Sequence, residues 1–238
     1  MEHSELKKGH IHLITRAIAE ISAIFDEMGF SVVEGPELET DHYNFEALNF
    51  PPDHPARDMQ DTFWIKPESE KKLLRTHTSP VQIRYMESHP LNEGDQIAII
   101  VPGKVFRNEA TDASHEAQFH QFEGLFVDKV VSMAHLKGVL LHFFQKYFGP
   151  DVEIRFRPSF FPFVEPGVEV DVKWKGKWLE MMGAGLVHPN VLEASGVDST
   201  KWQGFAFGGG IDRFVAVKYG LTDIRELYTG DVRFITQF

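Results

Sequence analysis

The chain has 238 residues, enough for one large domain with a full hydrophobic core, and its 42% hydrophobic and 25% charged residues fit a globular protein. A net charge of −11 gives no basic cluster for gripping nucleic-acid phosphates, no apolar run reaches the length of a membrane span, and the polar start MEHSELKKGH lacks a signal-peptide core. Cysteine is absent, which excludes disulfides, thiolate metal sites and a cysteine nucleophile, and a cytoplasmic location is expected.

Residues 10–28 are predicted as an amphipathic helix. Ile11, Ile14, Ile18, Ile21, Phe25 and Met28 fall on one stripe, and Gly29 is a natural stop. Such a stripe can face a core or a helix of a partner chain. FSVVEGPE follows as a short strand ending at Pro36. Residues 41–62 read as an irregular loop with prolines at 51, 52 and 55, and a loop this long in a compact domain is either functional or packs as its own unit. Ser79-Pro80 predicts a helix start with Ser79 as N-cap. IAIIV at 97–101 predicts a buried strand, VFRNE begins another and QFEGLFV a third, with 108–120 as a long connecting loop. Ser132 caps a predicted helix at 133–148. EIRFRPS, VEVDVKW and KWLEMM are strands, the last two joined by the turn Lys175-Gly176. Pro189 opens a short helix. WQGFAFGGG is a strand, and IDRFVAVKYG a helix closed by Gly220. The order is α+β with a mixed or antiparallel sheet, in one domain without repeats or linkers.

Four stretches carry candidate chemistry. In VFRNEATDASHEAQFHQFEG, Arg107 at a strand end suits a phosphate, with Glu109 on the same face. Phe119 can stack on a planar base, while Gln121 and Glu123 can hold an ammonium group. The bland alternative is a solvated hairpin, which the interleaved aromatics disfavour. In FAFGGGIDRF, glycines before a helix allow close backbone approach to an anion, with Arg213 near the helix start. That signal is weak alone. RPSFFPFVEP offers an aromatic wall from Phe160, Phe161 and Phe163, with Glu165 beside it as a candidate Mg²⁺ ligand. RTHTSPVQIR brings His77, Ser79, Gln82 and Arg84 toward a pocket mouth.

From about Gly9 to Phe238 the set resembles the catalytic domain of bacterial-type phenylalanyl-tRNA synthetase alpha subunits, which are class II aminoacyl-tRNA synthetases. GFSVVEGPE is similar to class II motif 1, VFRNE through FHQFEG to motif 2, and FGGGIDRF to motif 3. HPARDMQDTFW, RTHTSPVQIR, RPSFFPFVEP and GAGLVHPNV are more specific to the phenylalanine enzyme. The resemblance implies an antiparallel β-sheet flanked by helices, and ATP-dependent activation of L-phenylalanine followed by transfer to tRNA(Phe). By resemblance Arg107 holds the α-phosphate and Arg213 the γ-phosphate of a bent ATP. Phe119 stacks on adenine, His115 and Glu109 help to fix the nucleotide, and Gly208 and Gly210 belong to the same nucleotide site. His77, Ser79, Gln82, Gln121 and Glu123 surround the amino acid's polar end. Phe161 and Phe163 pack on its ring, Ala206 forms the pocket floor, and Gly183 and Gly185 border it. Glu165 is the implied Mg²⁺ ligand, shared with a partner subunit.

The resemblance also implies a beta subunit, a heterotetramer of two alpha and two beta chains, and editing of mischarged tyrosine on that beta subunit. An apolar pocket rejects an added hydroxyl by only ~10²-fold. It further assigns the helix at 10–28 to a bundle between subunits. The family's N-terminal coiled-coil arm, which contacts tRNA, is expected to be absent, so that 1–238 is a single catalytic domain. No C-terminal anticodon-binding extension is expected, and Gln60 receives no role. The alternative is a non-charging paralogue that binds amino acid and ATP in a regulatory role. The intact arginines, motif 2 carboxylates and aromatic wall favour the enzyme.

Overall fold

The computed structural model describes residues 9–58 and 62–238; Gln60 lies outside them. In chain order the elements are α1 (Leu13–Asp26), β1 (Ser31–Val32), β2 (Leu38–Thr40), α2 (Asp41–Asn44), β3 (Trp64–Ile65), β4 (Lys72–Leu74), α3 (Pro80–Ser88), β5 (Ile97–Phe106) and β6 (Gln118–Asp128). Then come α4 (Met133–Phe148), β7 (Glu153–Phe161), β8 (Val164–Trp174), β9 (Lys177–Val187), α5 (Pro189–Ala194), β10 (Gln203–Gly210), α6 (Ile211–Tyr219) and α7 (Val232–Ile235). Seven strands form the main sheet in the order β1-β5-β6-β10-β9-β8-β7. All neighbours in it are antiparallel except the β1–β5 pair. A small sheet, β2-β4-β3, stands apart from it. This is the α+β architecture that the element order predicts.

Alternation along the strands assigns the two faces. On β6, Phe122 and Phe126 belong with the core that α1, α4 and α6 cover, together with Phe205 and Phe207 of β10. Leu125 and Val127 belong to the opposite face, where α3 and α5 pack through Val81, Ile83, Val191 and Leu192. Gln121 and Glu123 lie on that second face too, beyond the end of its apolar packing. One face is thus closed by helices and the other is partly open.

Helix α1 starts where the His12 side chain accepts a hydrogen bond from the Ile14 amide. Its stripe is core. Ile14, Ile21 and Phe25, joined by Leu13, Ala17 and Ile24, are buried against this chain's own α4 and α6. Burying each large apolar side chain contributes about 2 kcal/mol. The stripe residues therefore serve this chain's own core. Ile11, 59% exposed, and the half-buried Ile18 and Met28 remain at the edge.

Strand β5 also differs from expectation. It runs unbroken from 97 to 106 through Pro102-Gly103. Pro102 lies past Ile99 and Ile100, the residues paired with β1, where β5 has become an edge strand and tolerates proline. Gly103 makes room for the buried Arg75, since a Cβ there would sit 2.2 Å from Arg75 Nη2. Arg75 donates to the carbonyls of Lys104 and Gly35 and so ties the start of the chain's sheet to the site's edge. The connecting loop is shorter than predicted, 107–117, which puts Phe119 on β6. No helix among the described residues is long and apolar enough to cross a membrane.

Candidate active site

The open face owes its shape to one row across the sheet. Glu123 of β6 pairs with Gly208 of β10, Gly208 with Gly183 of β9, and Gly183 with Glu169 of β8. Two glycines thus form a floor between two carboxylates. A Cβ at Gly208 would stand 2.5 Å from Glu123 Cγ, and one at Gly183 would stand 2.9 Å from Phe161 Cζ. Glycine is required at both positions because flanking side chains lean over them. Above the floor is a cavity of about 680 Å³.

One end of this cavity is polar. Glu123 is 7% exposed and accepts from the Thr78 amide at 3.0 Å, from the Ser79 hydroxyl and from Gln82 Nε2 at 2.8 Å. Burial pushes its pKa up, and the Ser79 and Thr78 donors partly offset that. Ser79 makes no capping bond to α3, contrary to expectation, because its hydroxyl serves Glu123 instead. Arg84, predicted at the pocket mouth, faces away. It pairs twice with buried Glu39 at 2.8 Å and lies over the Tyr43 ring. His77 lines the cavity, yet both its ring nitrogens are buried without a partner among the described residues. Burial first, and then the Arg107 cation, lowers its pKa to about 3, so it is neutral. Gln121 Oε1 is likewise buried and unpaired. A buried carboxylate with neutral donors, beside unused polar atoms, suits an ammonium ligand.

The other end is apolar. Phe161 and Phe163 stand 5.8 Å apart, nearly parallel, and Phe163 meets Phe50 at 5.8 Å. Ala206 lines the cavity one row beyond Gly208. Phe160 is corrected: 76% exposed, it points out of the wall expected to hold it, as alternation from Phe161 requires. Gly185 is a second correction. It is absent from the lining because Val164 and the Pro166 carbonyl fill the space above it. Phe45, Leu48, Phe50 and Ala56, from the long segment before β3, complete the walls and were not foreseen individually.

Arg107, Glu109, Gln121, Gly210 and Arg213 are shared with an adjoining cavity of about 580 Å³. Phe119 and His115 line this second space. The Arg107 guanidinium lies 5.1 Å from the Phe119 ring centre, and its Nε donates to the Thr76 carbonyl at 3.1 Å. Arg213 Nε donates to the Glu180 carbonyl at 2.5 Å. The loop that carries His115 is folded around Asp112, which accepts from the Ser114 and His115 amides and is held well below the usual carboxylate range, first by the Ser114 amide. Glu169 and Glu180 also line the first cavity, and Arg157 contacts them at 2.7 and 3.5 Å. The sequence reading missed both. Their signal was a glutamate inside an apolar strand, KWLEMM and VEVDV. Glu165 is exposed and lies outside both cavities. Among the described residues no three His, Cys, Asp or Glu side chains gather as a metal site.

A mostly antiparallel sheet with a glycine floor beneath a two-part cavity, and two arginines just off its strands where the parts meet, has the features of the core domain of a class II tRNA synthetase. Over residues 1–238 the chain matches the family described as tRNA synthetases class II core domain (F). It is 56% identical to the phenylalanine–tRNA ligase alpha subunit of Ligilactobacillus salivarius, over 97% of this chain and 68% of that one. The corresponding subunits of Bacillus licheniformis and Prochlorococcus marinus are 55% and 51% identical, each over 99% of this chain and over 70% and 68% of their own lengths. The chain belongs to the family of phenylalanine–tRNA ligase alpha subunits and is a ligase.

Proposed function

We propose that the chain activates L-phenylalanine with ATP and passes it to tRNA(Phe), in the cytoplasm, with a beta subunit in an assembly of two alpha and two beta chains. The observation that carries the reading is the buried Glu123 carboxylate at the polar end of a cavity closed by Phe161, Phe163 and Ala206. The amino acid's ammonium pairs with Glu123, and its ring fills the apolar end. His77 and Gln121, with free polar atoms, take the remaining hydrogen bonds. The substrate carboxylate is the nucleophile. Its oxygen attacks the α-phosphorus, the bond to the bridging oxygen breaks, and pyrophosphate leaves. A ribose hydroxyl of the tRNA end then attacks the carbonyl carbon, its proton passes to the departing phosphate oxygen, and AMP leaves. No protein base is needed for the first step. Arg107 and Arg213 hold the phosphates in line and balance their charge, and Phe119 stacks on adenine.

Magnesium binds through one or two carboxylates plus substrate phosphates rather than an all-protein cage. Glu169 and Glu180 at the cavity edge would take that role by giving up their pairing with Arg157. Bound there, the ion would neutralise phosphate charge. Exposed Glu165 is open to a second chain, where it would serve an ion shared between subunits. Calorimetric titration tests the amino-acid site. L-phenylalanine should bind the wild type, and Glu123→Gln should weaken it by roughly 100-fold through loss of the charge pair. Equal affinity in the two proteins would remove the ammonium assignment.

A further inference from the structure

The far wall of the second cavity is not made by the sheet. Gly220, Leu221, Thr222 and Ile224, which follow α6, stand there opposite Phe119 and His115. Their attachment runs through one buried carboxylate. Asp212, 3% exposed, accepts the His120 amide at 2.8 Å on one oxygen and the Tyr228 hydroxyl on the other. The Tyr228 oxygen meets His120 Nδ1 at 3.0 Å, and the two rings lie parallel, 6.1 Å apart. With the Tyr228 hydroxyl donating to Asp212, the ring of bonds closes in the His120 tautomer that is protonated on Nδ1. Each member belongs to a different element: β6 beside Phe119, the start of α6 beside Arg213, and the C-terminal segment. That segment is held twice more, by the Ile224 amide on the Ala113 carbonyl at 3.0 Å and by His12 Nε2 against the Leu227 carbonyl at 2.9 Å.

We propose that Asp212, Tyr228 and His120 are positioning residues that fix the 220–228 segment against β6 and α6 and thereby set the shape of the nucleotide half of the cavity. This rests on the reading of the second cavity as the nucleotide site. A helix-start aspartate serving only the α6 dipole would have no need of Tyr228.

Tyr228→Phe tests this, because it keeps the ring and leaves one Asp212 oxygen buried without its donor. In phenylalanine-dependent ATP–pyrophosphate exchange, with the beta subunit present, the Michaelis constant for ATP should rise roughly 5-fold or more while that for phenylalanine stays within about twofold. Amide hydrogen exchange should accelerate in 107–121 and 220–228 and remain unchanged in α3. An equal rise in both Michaelis constants, or an unchanged one for ATP, overturns the proposal. So does unaltered amide exchange in the 107–117 loop, a readout that needs no activity. A wild type without phenylalanine-dependent exchange would instead sink the functional reading, and the amide data would still decide the network.

Discussion

Burial lifts the Glu123 carboxyl above the ordinary glutamate range, while Ser79, Thr78 and Gln82 hold it in place. In the free protein it therefore gains a proton at a higher pH than an exposed glutamate would. Phenylalanine affinity should weaken as pH falls through that raised value, and the pH profile should flatten in Glu123→Gln. Calorimetry at several pH values reads both. His77 has the opposite linkage. Its pKa drops from 6.5 to about 3 on folding, so the unfolded chain takes up a proton first as pH falls. Its share of stability is intact above pH 6.5 and is lost on the way down to 3. Between pH 7 and 5 this one group should cost about 2 kcal/mol of unfolding free energy. His77→Phe, which keeps a ring against Phe50, should lose that share of the acid slope in urea unfolding at the two pH values. An identical slope would mean that the imidazole nitrogens are hydrated in the native protein. At the other end of the cavity, Ala206→Gly should deepen the apolar pocket. Exchange assays should then show para-substituted phenylalanines gaining as substrates, and no gain would mean that Ala206 is not the floor.

At the level of elements, strand phase does the selecting. The glycine run after Phe207 announces close approach, but only pairing tells which glycines face the cavity. Gly208, Gly209 and Gly210 all border the cavity, but a Cβ on Gly209 would point into the core, 3.0 Å from Phe214. Gly183→Ala should push the Phe161 ring into the substrate space. The phenylalanine Michaelis constant should rise roughly tenfold with that for ATP little changed, alongside a stability loss of about 1–3 kcal/mol. A shift confined to ATP would contradict the geometry. The residues on single strands were legible from sequence, because alternation and spacing are local. Gln121 and Glu123 of β6 are of this kind, and Arg107 directly follows β5. Glu169, Glu180, Phe45 and Phe50 were not, since they reach the cavity only through strand pairing and the course of the segment before β3. Gly185 was misplaced for the same reason: its row is right for the face, but Val164 covers it. Ser79 was read as a cap because sequence shows the local option and not the distant carboxylate that wins the hydroxyl.

For the molecule as a whole, three helices close one sheet face, and the other, partly covered by α3 and α5, holds the site. The stripe on α1 goes into that closed core, and a contact with a second chain needs an exposed surface. Exposed Phe160 and Glu165 near the β7–β8 turn offer one. The chain carries a net charge of −11, yet two arginines stand together where the two cavities meet. Their positive charge is thus concentrated at the junction of the two cavities rather than spread over a face. The most direct test of this account is phenylalanine-dependent ATP–pyrophosphate exchange by the chain with its beta subunit, repeated with Arg107→Ala. Exchange that requires phenylalanine, rises when the beta subunit is added and falls by roughly 100-fold or more in the variant is the predicted result. No exchange from a demonstrated complex, or exchange indifferent to Arg107, would contradict it.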